Sequence, residues 1–69
     1  MPYVNIRITA GATQAQKEEL IAGTTELLQR VLNKNPASTF VLIDEVATED
    51  WGVGGISIAE RNRRQTPGG

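Results

Sequence analysis

The 69-residue chain contains no histidine and no cysteine. Without cysteine, no disulfide can staple the fold. Without either residue, a structural zinc site of the usual Cys/His kind is excluded. So are the Ser-His and Cys-His arrangements of nucleophilic catalysis. There is no basic excess: the formal net charge is -1, which leaves no electrostatic footprint for nucleic acid. Arg61, Arg63 and Arg64 form a small basic cluster, but Glu60 sits beside it. The pattern fits a solvated tail or a subunit contact. No apolar run approaches the roughly 20 residues of a membrane span. The opening residues lack the basic and apolar regions of a secretory signal. A cytoplasmic protein with no nucleic-acid or membrane partner is the expectation.

These absences narrow the proton chemistry. The remaining candidates are the carboxylates, Lys17, Lys34, Tyr3 and the chain terminus. Only a terminal amine has an ordinary pKa near neutrality, roughly 7.7–8.0. The residue behind Met1 is Pro2, a secondary amine once the methionine is removed. A proline amine starts somewhat more basic, so burial or cationic neighbours must lower it.

Tyr3, Asn5, Arg7 and Thr9 alternate with Val4, Ile6 and Ile8. Period two with β-branched residues predicts a half-buried strand. Gly11 permits a turn, and Thr13 with Gln16 fits a capping box. Leu20, Ile21, Thr24, Leu27, Leu28, Val31 and Leu32 then form an apolar stripe, with Lys17, Glu18, Gln29 and Arg30 largely outside it. That spacing predicts a helix over residues 14–33, stopped before Pro36. Residues 39–46 contain Phe40, Val41, Leu42 and Ile43 and predict a more buried strand, bordered on both sides by strands or by a subunit. Strand, crossover helix and strand make a β-α-β unit with parallel strands. Gly52, Gly54 and Gly55 mark a turn, and residues 56–59 a short closing strand. The fold class is therefore α+β, with a short C-terminal hairpin. Residues 1–62 form the single domain and 63–69 a loose tail.

One such unit cannot cover both faces of its sheet. The helix takes Val4, Ile6 and Ile8; Tyr3, Asn5, Arg7 and Thr9, with Phe40 and Leu42, are left open. A mixed apolar and polar surface on so small a chain predicts self-association.

The start Met1-Pro2-Tyr3-Val4, Gly11 before the helix, the Gln16-Lys17-Glu18 helix start and Trp51-Gly52-Val53-Gly54-Gly55 together resemble the 4-oxalocrotonate tautomerase family. The resemblance spans about residues 2–61. It implies a β-α-β fold assembled as a homohexamer, a trimer of dimers, that performs proton transfer without a cofactor or metal on a small enol or α-keto acid. It implies that Pro2 is the general base, that Trp51 is the aromatic residue of an apolar pocket, and that Thr9 and Ser38 are pocket positions from neighbouring subunits. Two arginines of the founding enzymes have no counterpart: their positions hold Ala12 and Phe40. Those arginines receive the substrate's carboxylate and polarise its carbonyl. The founding dicarboxylate is therefore not the expected substrate. Phe40 narrows and dries the pocket, and Arg7 either supplies a cation or pairs with Asp44. Arg61 is a further candidate to reach a neighbouring pocket.

Three functions remain open at this stage. The first is keto–enol tautomerisation with Pro2 as base. The second is a hydratase or dehalogenase variant, in which protonated Pro2 acts as acid and Asp44 or Glu45 activates water. The third is a non-enzymatic assembly scaffold.

Overall fold

A computed structural model describes residues 1–65. Strand β1 (Tyr3–Thr9) is followed by helix α1 (Gln14–Leu32), a 3-10 turn (Pro36–Ser38) and strand β2 (Phe40–Val46). A second 3-10 turn (Thr48–Asp50) leads into the short strands β3 (Gly52–Val53) and β4 (Ile56–Ser57), then helix α2 (Ile58–Gln65). β1 and β2 pair in parallel, with Tyr3 beside Phe40, Asn5 beside Leu42, Arg7 beside Asp44 and Thr9 beside Val46. The expected β-α-β unit and C-terminal hairpin are both present.

Local chemistry explains the elements. Thr13 Oγ1 accepts from the Gln16 N–H at 3.1 Å, and Gln16 Oε1 accepts from the Thr13 N–H at 2.9 Å, closing the capping box. α1 ends where Asn33 turns left-handed, at φ 55°, a conformation asparagine tolerates better than most residues. Gly54 and Gly55 both carry positive φ, 61° and 90°. A two-residue hairpin loop of that twist suits glycine at both positions.

Two expectations need correction. The closing strand does not extend to Ala59: it stops at Ser57, and α2 begins at once. Ser57 Oγ accepts from the Glu60 N–H at 3.1 Å, as an N-cap does. Glu60 then pairs with Arg63 and with Arg64 Nε, three and four residues on, ordering the segment expected to be a loose tail as far as Gln65. The remainder of that tail, residues 66–69, lies outside the described residues. Among the described residues β2 has a strand on one side only, which leaves the expected alternative of a subunit for its other edge. Second, Lys17 belongs to the sheet-facing side of α1. Its ammonium pairs with Glu45, which also accepts from the Gly11 N–H at 3.1 Å.

The chain is not a closed globule. No described residue is buried, and the radius of gyration is 16.0 Å, against about 11 Å for a compact chain of this length. The sheet's helix-side residues Val4, Ile6, Ile8, Val41 and Ile43 are half-buried. Its other face is open: Tyr3 is 63% exposed, Phe40 52% and Leu42 47%. No described helix is long and apolar enough to cross a membrane.

Candidate functional site

The site residues divide between the two ends of the β1–β2 ribbon. At the first end, the Phe40 N–H donates to the Pro2 carbonyl at 3.0 Å. This bond continues the ladder one residue beyond β1 and fixes Pro2 beside Phe40. The half-buried Ser38 closes the preceding 3-10 turn, its Oγ donating to the Asn35 carbonyl at 3.3 Å. Pro2, Ser38 and Phe40 therefore share one end. In the full chain the Pro2 nitrogen is an amide, bonded to an exposed Met1.

At the other end lies a cleft of about 450 Å³, lined by Arg7, Asp44, Glu45, Val46, Asp50, Trp51 and Gly52. Register puts Arg7 and Asp44 side by side on the open face. Asp44 Oδ2 accepts from Asn5 Nδ2 at 2.9 Å and from Arg7 Nη2 at 3.4 Å. The Asn5 hydrogen bond, and then Arg7, hold the Asp44 carboxyl below its ordinary pKa despite some desolvation. Glu45 is likewise lowered, by the Lys17 hydrogen bond first and the Gly11 N–H second. Trp51 is placed by the 3-10 turn before it and by its carbonyl, which accepts from the Ile58 N–H at 2.7 Å.

Of the residues singled out in the sequence, the cleft gathers Arg7, Asp44, Glu45 and Trp51. It does not include Pro2, Ser38, Phe40 or Thr9; Thr9 pairs with Val46 at the cleft end but does not line it. Pro2 precedes Arg7 by five strand residues, about 16 Å at the usual rise. Ala12 follows Gly11 beyond the cleft end of β1, and its position carries no charge. Arg61 is exposed on α2. Asp50 is the lining residue that sequence patterns missed. Its only signal was proximity to Trp51. Among the described residues, no cluster of three or more acidic side chains is arranged to hold a metal ion.

Known proteins supply the context for this geometry. The sequence profile of the family described as "Tautomerase enzyme" matches residues 2–61. A probable tautomerase K2 of Dickeya dadantii is 58% identical over 65 residues, covering 93% of this chain and 97% of the relative. The 2-hydroxymuconate tautomerase of Pseudomonas putida is 35% identical over 63 residues, covering 91% of this chain and 100% of the relative. A solved heterohexameric 4-oxalocrotonate tautomerase from Chloroflexus aurantiacus superposes with a TM-score of 0.81 at 32% identity, covering 87% of this chain and 97% of that one. By sequence and by fold the chain belongs to the tautomerase family, and it is an isomerase of the 4-oxalocrotonate tautomerase type.

Proposed function

We propose that the protein is a cofactor-independent keto–enol tautomerase whose general base is the Pro2 amine, freed by removal of Met1. Proline is small enough for that removal to be expected. The observation that carries this is the placement of Pro2. It sits half-buried at the end of the sheet, held through its carbonyl by Phe40, beside the open apolar face. Covering that face desolvates the amine and lowers its basicity toward neutrality. An unprotonated secondary amine then takes the enol hydroxyl proton and returns it to carbon, giving the α-keto acid. No atom is gained or lost overall.

A single chain does not bring Pro2 to the Arg7–Trp51 cleft, since they occupy opposite ends of the ribbon. The exposed face of Tyr3, Phe40 and Leu42 supplies the surface on which a second copy completes the site. We therefore place Pro2 of one copy over the cleft of another, within a homohexamer. Thr9 and Ser38 are pocket positions in that arrangement, Trp51 shapes its apolar wall, and Phe40 narrows it. The solved heterohexamer of the family is consistent with such an assembly.

The hydratase alternative needs a carboxylate that activates water. Asp44 is a poor base for it, because Asn5 and Arg7 stabilise its charged form.

The test is turnover of phenylenolpyruvate by processed wild-type protein and by Pro2→Ala. Exchanging the rigid secondary amine for alanine's primary amine is expected to reduce kcat/KM by about 100-fold with the fold intact by circular dichroism. The pH–rate profile of the wild type should show an ascending limb near neutrality, moved to lower pH in the variant because its primary amine is less basic. Unchanged turnover and an unmoved limb in Pro2→Ala would show that another group moves the proton.

A further inference from the structure

Among the described residues Arg7 is the sole cation lining the cleft, where it meets Asp44, Glu45 and Asp50. Most of its guanidinium is uncommitted. Its contact to Asp44, at 3.4 Å, is long for a charge-assisted hydrogen bond. Asp44 Oδ2 already accepts from Asn5 at 2.9 Å. The Arg7 side chain is 64% exposed, so the pair stabilises the fold little and yields readily to a competing anion. A guanidinium presents five N–H donors in a planar fork, and Asp44 is the one partner Arg7 has among the described residues. The indole of Trp51 lines the same cleft, giving an apolar wall next to the free donors.

The surrounding charges limit what can bind. Glu45 is matched by Lys17, and Asp44 by Arg7. Asp50 is left without a cation among the described residues. A first carboxylate on the cleft would compete with Asp44 for Arg7. A second would find no free cation among the described residues and would be repelled by Asp44 and Asp50.

We propose that Arg7 is the anchor for a single substrate carboxylate, and that Asp44 beside it is the element that excludes dicarboxylates. The substrate class is then a monocarboxylic enol or α-keto acid with an apolar body against Trp51. This rests on the tautomerase assignment above, and adds a specificity determinant on the open face of β1.

Trp51 is the only tryptophan in the chain, so its fluorescence reports occupancy of the cleft in the assembled protein. Hexanoate and adipate have the same carbon number and differ by one carboxylate. At neutral pH, wild type is expected to bind hexanoate at least about tenfold more tightly than adipate, and Arg7→Gln to weaken hexanoate by about tenfold. Arg7→Lys keeps the charge and loses the fork, and should fall between them. Asp44→Asn removes the competing anion and should tighten both ligands, adipate more than hexanoate. A gain of affinity cannot arise from misfolding, so this variant keeps the test decisive if Arg7→Gln assembles poorly. Hexanoate binding unchanged in Arg7→Gln, or weakened in Asp44→Asn, would overturn the proposal. Turnover of phenylenolpyruvate separates it from the assignment it rests on. Turnover with Arg7-independent binding defeats the anchor alone; Arg7-dependent binding without turnover defeats the tautomerase assignment and leaves the anchor standing.

Discussion

The two ends of the β1–β2 ribbon are built from unlike chemistry. One holds Pro2, Tyr3 and Phe40, with no carboxylate or side-chain cation and a largely apolar open surface. The other holds Arg7, Asp44, Asp50 and Trp51 around a cleft of about 450 Å³. The first suits a base that must be kept uncharged, because desolvation disfavours the protonated amine. The second suits recognition of a charged group, because a guanidinium and an indole give direction and shape. On the proposed reading neither end is a site alone. The division then accounts for an uncovered sheet face on so small a chain: a second copy would both bury apolar surface and join the two chemistries.

The largest effect should come from denying that second copy its surface. Leu42 is 47% exposed in the isolated chain, midway along the open face. Leu42→Asp would put a carboxylate where the proposed assembly is apolar, and an unpaired buried charge costs several kcal/mol. Sedimentation should then show dissociated chains, and turnover should vanish with the assembly. A stable, active monomer in this variant would break the account of both ends at once.

An intermediate effect is expected at the Pro2 end. By the family resemblance, Phe40 occupies a position where the founding enzymes carry an arginine. Phe40→Arg should raise kcat/KM for the diacid 2-hydroxymuconate by about tenfold, through one charge-assisted hydrogen bond, while leaving a monoacid enol unchanged or slower. If wild type already prefers the diacid, the monocarboxylate selectivity assigned to the cleft is wrong.

The smallest effect lies behind the cleft, where Glu45 ties α1 and the Gly11 turn to β2. The Lys17 hydrogen bond, and then the Gly11 N–H, depress the folded pKa of Glu45. Its contribution is therefore complete at neutral pH. It is lost as the pH falls below the ordinary glutamate range and through the folded value. Glu45→Gln should melt slightly below wild type at neutral pH, and the gap should close on acidification. A gap independent of pH would show that the carboxylate's charge has no part in the clip.

Much of this was legible in the sequence, for physical reasons that can be named. The alternation from Tyr3 to Thr9, the Thr13–Gln16 box and the paired glycines each encode local geometry, and each element formed where its pattern stood. The Arg7–Asp44 pair was foreseen as one of two roles for Arg7, and strand register brings it about. α2 was missed although Ser57 and Glu60 carry a capping spacing, because the tail's polarity and its Pro-Gly-Gly ending outweighed it. Lys17 was placed outside the apolar stripe because helical periodicity ranks residues by polarity. It cannot see that Glu45 waits across the interface. The separation of Pro2 from Trp51 was hidden for a different reason. A motif lists residues along a line, and only parallel pairing shows that these two lie at opposite ends of a strand about 20 Å long.

The claim that one copy's Pro2 serves another copy's cleft can be measured by mixing two disabled variants. Pro2→Ala keeps an intact cleft, and Trp51→Ala with Arg7→Gln keeps an intact Pro2. Each alone should turn over phenylenolpyruvate poorly. Unfolded together and refolded at equal ratio, they should recover about a quarter of wild-type activity, the share of sites that draw Pro2 from one variant and the cleft from the other in a randomly mixed symmetric assembly. Mixed oligomers, verified by mass spectrometry, whose activity stays at the mean of the two separate variants would contradict the shared site.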